Sequence, residues 1–294
     1  MNKKTIYALG FFDGVHLGHQ ALLSACHSLA AERNCYAGVV TFATHPDALV
    51  GGVSPRLINT SRDRADLLQA FQVDKILELP FDDGLKNTPW SAFLSQLLQQ
   101  DAAGFVCGSD FRFGAGGAGT AEKLEGFCRE NGLACSIVPQ QFLKGIRVSS
   151  THIRSLLENG DVAEANRYLG HPHILTGTVI AGRGLGHTFG IPTANVCLPE
   201  ELVCPQLGVY ACQATVDGKT YPAVTNIGSR PTVGGHQVRV ESWLLDFAGD
   251  LYGKTLTLAF AAYLRPEEKF ASVEELVAQI RKDAEKTRKI LEKT

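Results

Sequence analysis

Apolar and polar positions follow two different rules along this chain. Up to about Pro139, short apolar runs alternate with longer stretches of helical period. The runs are TIYALG, CYAGVVTF, DKILELP, GFVCG and LACSIVP. Between them lie HQALLSACHSLAAER, SRDRADLLQAFQ, PWSAFLSQLLQQ and TAEKLEGFCREN. Apolar strands separated by amphipathic helices predict a parallel sheet covered on both faces. After VSSTHIRSLLENGDVAEANRYLG the period changes. From Ile174 the segments alternate: ILTGTVIAG, GVYACQATVDGKTYPAVTNIG, VRVESWLLDF and TLTLAFAAYLR. Asp-Gly within VDGK (216–219) is a hairpin signal. Strands joined by turns, with no helices between them, predict a small β-barrel or sandwich. Ser272 and Glu275 form a capping box that opens a closing helix. The break falls at residues 170–173.

Composition narrows the class. The chain has 294 residues, enough for two domains. Apolar residues make up 45 % and charged ones 20 %, as in a soluble globular protein. The net charge of -2 provides no broad basic footprint, so nucleic acid is not an expected partner. No segment is long and apolar enough to span a membrane. Asp13 interrupts the apolar run after Lys3 and Lys4 too early for a signal peptide, so a soluble cytoplasmic protein is expected. The eight cysteines show no C-x-x-C spacing and read as reduced, buried thiols. His171 and His173 in HPH lack a third ligand at metal spacing.

The chemistry begins in GFFDGVHLGHQ (10–20). This stretch joins the first strand to a helix expected to start at about His16, on the carboxyl edge of the sheet. Open α/β folds bind ligands there. Gly10 and Gly14 allow close backbone approach, the helix N-terminus favours anions, and His16 and His19 share one face of the first turn. Two imidazoles so placed could grip a triphosphate; they could equally be ordinary surface histidines on a capped helix.

Further motifs turn this into a resemblance. GFFDGVHLGH resembles the H-x-G-H signature of the nucleotidyltransferase superfamily. The whole chain resembles the bacterial bifunctional riboflavin kinase/FAD synthetase family. TFATHP (41–46), VCGSDFRFGAGGAGT (106–120) and VSSTHIR (148–154) are similar to that family's first-half motifs. GIPTANV (190–196), GVYA, NIGSRPT, VESWLLDF, DLYGK and LRPEEKF follow in its order. The resemblance implies a Rossmann-like nucleotidyltransferase domain over 1–170 that transfers AMP from ATP to FMN, giving FAD and pyrophosphate. It implies a riboflavin kinase barrel over 171–294 that makes FMN from riboflavin and ATP, with Mg2+. The expected partners are these small molecules, and the expected state is a monomer or weak homo-oligomer.

The resemblance also implies roles for single residues. His16 and His19 hold the ATP phosphates, and Gly10, Phe11 and Gly14 shape the floor. Relatives often have Asn at the position of Phe11. Ser150, Thr151 and Arg154 bind ATP phosphate, although SST is equally a helix cap; His152 is assigned no role. Asp110 and the loop to Gly114 are placed at adenine or ribose, with residues 114–119 as a mobile flap; a turn aspartate is the alternative. His45 is placed near the flavin phosphate, or it only caps the strand.

In the second half, Gly182, Gly184, Gly186 and Gly190 read as a flap over phosphates. A dinucleotide fingerprint would need a helix where IPTAN stands. The hydroxyl of Thr193 and the carbonyl of Asn195 are oxygen ligands suited to Mg2+, unless they sit in an ordinary turn. Alternation along VRVESWLLDF puts Arg239, Glu241, Trp243 and Leu245 on one face. A strand glutamate usually faces solvent; the resemblance makes Glu241 the base for the riboflavin 5′-hydroxyl. Arg265 is placed near flavin or phosphates, or is a surface charge. Three positions depart from the family: His187 where Arg is common, Ile191 where Phe stands, and Val233 where Phe is common. Two other readings stay open. One is an adenylyltransferase whose barrel only binds flavin, against which PTAN and Glu241 argue. The other is a flavin carrier, against which His16, His19 and Arg154 argue.

Overall fold

The computed structural model describes residues 3–51, 55–182, 190–232 and 235–293, so Gly184, Gly186, His187 and Val233 lie outside the described residues. Two compact units emerge: Met1–Arg56 with Thr60–Ser150, and Leu57–Asn59 with Thr151–Thr294.

The first unit is built on β1 (Thr5–Leu9), every residue of which is buried. After it come α1 (Leu17–Glu32), β2 (Tyr36–Phe42), the short α2 (Pro46–Val50), α3 (Ser61–Ala70) and β3 (Lys75–Leu79). The chain continues through α4 (Asp83–Lys86), α5 (Trp90–Gln100), β4 (Ala102–Gly108), α6 (Ala121–Glu130), β5 (Ala134–Val138) and a small hairpin of β6 (Phe142–Leu143) and β7 (Ile146–Arg147). The five main strands are parallel, in the order β3-β2-β1-β4-β5. Helices cover both faces, as the apolar runs predict. Leu22, Leu23 and Cys26 of α1 and Leu68 of α3 close one core. Phe93, Leu94 and Leu97 of α5 and Leu124 of α6 close the other. Each such side chain contributes about 1.5–3 kcal/mol when fully buried. The strand order reverses between β1 and β4, which makes the loops after those two strands the ligand edge. The opposite edge is tied by Asp101, which accepts from Thr5 Oγ1 at 2.8 Å, Tyr7 Oη at 2.7 Å and Lys75 Nζ at 2.5 Å.

The second unit begins with α7 (Ser150–Glu158), whose first residue still belongs to the first unit, and α8 (Val162–Leu169). Then come β8 (His173–Thr178), β9 (Ala194–Cys197), β10 (Gly208–Val216), β11 (Lys219–Thr232), β12 (Gly235–Leu244), β13 (Thr255–Arg265) and α9 (Val273–Leu291). The strands form one antiparallel sheet in the order β8-β13-β10-β11-β12-β9. It curls into a half-barrel whose edges meet where Ile180 bridges Asn195. Asp217 (φ 50°) and Gly218 (φ 73°) make the two-residue turn from β10 to β11, as the Asp-Gly pair predicts. Ser272 caps α9 by accepting from Glu275 N–H at 3.2 Å.

The units divide at Ser150/Thr151, ahead of the change of pattern at 170/171. The reason lies in α8, which packs on β13 and β8. Asn166 Nδ2 donates to the Phe260 carbonyl at 2.7 Å, and Asn166 Oδ1 accepts from His173 N–H at 2.7 Å. Leu57 also joins this unit. Its N–H donates to Glu201 O, and its carbonyl accepts from Val203 N–H, both at 2.7 Å.

His173 is 4 % exposed, and its Nδ1 has no partner among the described residues. Burial, aided by His171, lowers its pKa to about 3. The folded state therefore keeps the ring neutral, while the unfolded chain protonates it below about 6.5. Stability from this group is complete above that value and falls as pH drops toward 3, at about 1.4 kcal/mol per pH unit. In His173→Phe, urea melts of the second unit should show a shallower acid limb by that slope. An unchanged limb would mean that His173 does not set it.

Candidate active sites

The loop after β1 carries the first site. Gly10 N–H continues the ladder to Val40 O at 3.2 Å, and then the chain turns through left-handed backbone. Phe12 (φ 61°), Gly14 (φ 82°) and Val15 (φ 39°) all have positive φ, and two of them are not glycine. Such residues hold only where packing over-determines them. Phe12 and Val15 are fully buried. Thr41 Oγ1 donates to Phe11 O at 2.9 Å, and Ser150 Oγ donates to Asp13 O at 3.0 Å.

This turn delivers His16 as the N-cap of α1, one residue before the helix. His16 Nδ1 accepts from His19 N–H at 3.3 Å, so its neutral ring carries the proton on Nε2. The two rings stack, 3.7 Å apart and 9° from parallel. Gly18 keeps the space open, since a Cβ there would lie 3.1 Å from the His16 ring. Burial, then the neighbouring His16 and Arg64, holds the His19 imidazole well below the usual histidine range, so it is neutral. His19 Nδ1 is buried without a partner among the described residues.

Other expected residues are placed as follows. His45 caps α2, not the strand: its Nδ1 accepts from Asp47 N–H at 3.2 Å, and its ring meets Phe11 edge-on at 4.6 Å. Asp110 follows β4 and pairs with Arg147 of the hairpin. Phe111 and Phe113 stack at 5.7 Å. With Phe42, Phe81 and Phe93 they line a cavity of about 310 Å³. Pro46, Asp47, Leu85, Lys86, Arg112, Gly114, Gly116 and Gly117 complete its wall, whereas His45 and Asp110 are not part of it. The loop holding these glycines is tied at its neck by reciprocal bonds between Phe113 and Gly119. Ser150 ends the first unit; Thr151, exposed, and Arg154, half-buried, belong to the second.

Arg64 escaped the sequence reading. It is 2 % exposed and lies over the Phe11 ring at 4.3 Å. The signal was its spacing: Arg64, Leu68 and Phe71 share the apolar face of α3, where a charge is out of place.

The second site is written across the curled sheet. Glu241 is directly opposite Asn195 of β9 and Asn226 of β11. Val240 and Ser242 are fully buried, while Glu241 and Trp243 are half-buried on the other face, which is the alternation expected. That face is a pocket wall. Glu241, Trp243, Thr193, Ile191, Phe270, Leu276 and Ile280 help line a cavity of about 240 Å³. Thr193 also lines a second cavity of about 260 Å³ with Val179, Phe247, Leu251 and Tyr252. It therefore stands between the two. Asn195 Oδ1 is buried with no donor among the described residues, and a Cβ at Gly182 would lie 2.3 Å from Asn195 Nδ2. An oxygen left bare in a glycine-cleared space fits a cation ligand. Gly190 has φ 70° and open space beside it.

Arg265 is not a loose surface charge: its side chain is 14 % exposed. Its Nε and Nη2 donate to Asp283 Oδ2 at 3.0 and 2.9 Å, which pins α9 to the sheet, and its side chain forms part of the wall of the Glu241 cavity. Asn226 Nδ2 donates to Glu267 Oε1 at 3.0 Å on the same wall. Neither Asn226 nor Trp243 was assigned a role from sequence.

Residues 1–152 match the FAD synthetase family, and residues 169–291 match the riboflavin kinase family. The chain is 33 % identical over 287 residues to the bifunctional riboflavin kinase/FMN adenylyltransferase of Listeria monocytogenes, covering 96 % of this chain and 91 % of that protein. It is 37 % identical over 282 residues to the protein of that name from Escherichia coli strain K12, covering 95 % and 90 %. A crystal structure described as a macrolide-efflux protein from Streptococcus pneumoniae matches with a TM-score of 0.88 and 30 % identity, over 98 % and 95 % of the two chains. Among the described residues, no helix is long and apolar enough to cross a membrane.

Proposed function

The chain belongs to the bifunctional riboflavin kinase/FMN adenylyltransferase family, and from that premise we propose how its two units divide the chemistry. It phosphorylates riboflavin to FMN with ATP, and adenylylates FMN with a second ATP to give FAD and pyrophosphate. The observation that carries the kinase assignment is the position of Thr193 between two cavities, one of which is lined by Glu241.

In the kinase unit, the Glu241 cavity takes riboflavin. Trp243, Phe270, Leu276 and Ile280 supply apolar surface for the ring system, and Glu241 accepts the proton from the 5′-hydroxyl as that oxygen attacks the γ-phosphorus and ADP leaves. ATP takes the cavity of Phe247 and Tyr252, so the transferring phosphoryl group lies at Thr193. Thr193 Oγ1 and Asn195 Oδ1 would hold Mg2+, which neutralises phosphate charge when bound. Gly182 and Gly190 leave room for backbone to approach the nucleotide; Gly184 and Gly186 share that assignment from sequence. Arg265 acts by holding α9 over the flavin.

In the adenylyltransferase unit, His16 offers Nε2–H to the phosphates from the helix N-terminus, and neutral His19 is stacked on it. Attack by the FMN phosphate on the α-phosphorus expels pyrophosphate, so the unit's work is positioning and stabilising charge. Gly10, Phe11 and Gly14 form the floor, with Ser150 bracing the turn; Thr151 and Arg154 keep the ATP-phosphate role that the resemblance gives them. The cavity walled by phenylalanines takes a flat ring, and we assign it to the flavin; His45 keeps the flavin-phosphate role that the resemblance gives it. Asp110, held by Arg147, is left to the ribose or adenine. The protein works in the cytoplasm, as a monomer or weak oligomer.

Two substitutions in the full chain test the division. His19→Ala should slow FMN adenylylation by about 10²–10³-fold with riboflavin phosphorylation near normal. Glu241→Gln should slow phosphorylation by roughly 10²-fold or more with little change in riboflavin affinity. Chromatography of FMN and FAD reads both; lost riboflavin affinity with surviving turnover would make Glu241 a binding residue.

Fragments test the boundary. We propose that residues 171–294 suffice for kinase chemistry and never make FAD. Since α8 packs on this unit, residues 151–294 should be the more stable piece by thermal melting. A folded 151–294 fragment without kinase activity would mean that the site borrows residues from the first half.

A further inference from the structure

The first unit contains a buried charge that the roles above do not use. Arg64 on α3 donates through Nη2 to Phe42 O at 2.8 Å and to Glu78 Oε1 at 3.0 Å. Its guanidinium lies over the Phe11 ring. Nη1 is fully buried and has no hydrogen-bond partner among the described residues. The Glu78 side chain is 40 % exposed, so solvent screens part of the pair's attraction. A guanidinium with an idle donor is a poor way to stabilise a core, and a long apolar side chain would fit the site at less cost.

The surroundings indicate what the charge serves. α3 packs on the turn Asp13–Val15, which leads into His16. The field of Arg64 reaches His19 on the first turn of α1, whose Nδ1 is also buried with no partner among the described residues. The groups acting on His19 are His16 on its own turn and Arg64 from α3; those acting on Arg64 are Glu78 from β3 and Asp13 from the turn. Phe11 supplies the aromatic face that receives the cation.

We propose that Arg64 is a positioning residue for adenylyl transfer. Clamped by Phe42 O and Glu78 and stacked on Phe11, it fixes the turn between β1 and α1 and sets a buried positive charge behind the histidine pair. It touches no substrate. Its effect reaches the reaction through Phe11 and His19: the ring holds the backbone from which His16 follows, and the cation opposes protonation of His19. The inference rests on the reading of the first unit as the adenylyltransferase.

The test uses the full chain with Arg64→Met, Arg64→Lys and the double variant Arg64→Met with Glu78→Gln. Each is assayed for FAD from FMN, for FMN from riboflavin, for thermal stability, and for the His19 ring titration by NMR, with His19→Ala giving the assignment. Arg64→Met should stay folded and phosphorylate riboflavin normally. Its adenylylation kcat should fall roughly tenfold or more, as expected of a misplaced site, with KM for FMN within about twofold. The His19 titration should move up in pH. Arg64→Lys should restore the titration and part of the kcat, because it keeps the charge and loses the planar stacking. If Arg64→Met does not fold, the double variant, which removes both charges, is read by the same criteria. A folded variant with wild-type kcat, or with an unmoved His19 titration, overturns the proposal. A wild-type protein that makes no FAD from FMN would instead defeat the underlying assignment.

Discussion

The first unit depends on keeping a strained turn in place at the end of its central strand. Three positive-φ residues within four positions carry the chain from β1 into α1. Left-handed backbone at Phe12 and Val15 is unfavourable by itself, at roughly 1–3 kcal/mol per residue. Full burial of both side chains opposes that, as do the hydroxyls of Thr41 and Ser150 on the carbonyls of Phe11 and Asp13. The result is a helix whose N-cap is a histidine ring. A serine or aspartate would cap it as well or better; only an imidazole leaves a second nitrogen as a donor. The ring stacking and the buried, neutral His19 follow from the same geometry.

The second unit reaches a comparable end by another route. No helix N-terminus is used there. Asn195, Glu241 and Asn226 are brought side by side by the register of three antiparallel strands, and a one-residue slip would turn Glu241 into the core. α9 is held over this face by Arg265, two of whose nitrogens donate to Asp283 Oδ2. In both units a polar atom at the proposed site is buried without a partner among the described residues: His19 Nδ1 in one and Asn195 Oδ1 in the other. A ligand is one way in which such atoms are completed.

Much of this was legible in the sequence. The five apolar runs are the five parallel strands, because a strand buried on both faces must be apolar throughout. The Asp-Gly turn, the Ser272 cap and the alternation around Glu241 are local signals, and local physics decides them. Tertiary matters were less visible. β9 is hidden in ANVC, where the polar Asn195 masks a strand. The compact units part at Ser150/Thr151, not at the change of period, because α8 buries its apolar face on a sheet that follows it in the chain. His45 caps the helix after it, and Arg265 pairs with a residue of α9 that is 18 positions on. Arg64 was not singled out from the sequence; only its place on the apolar face of α3 distinguishes it.

The central claim is that the two chemistries use separate residues and are joined only by FMN. A mixture of the full-length His19→Ala and Glu241→Gln proteins tests it directly, given riboflavin, ATP and magnesium. His19→Ala alone should accumulate FMN, and Glu241→Gln alone should make FAD from supplied FMN but little from riboflavin. Together they should make FAD from riboflavin, with FMN rising first and then falling. If the mixture makes FMN but no FAD, while Glu241→Gln still converts added FMN, the two sites are not independent in the way described.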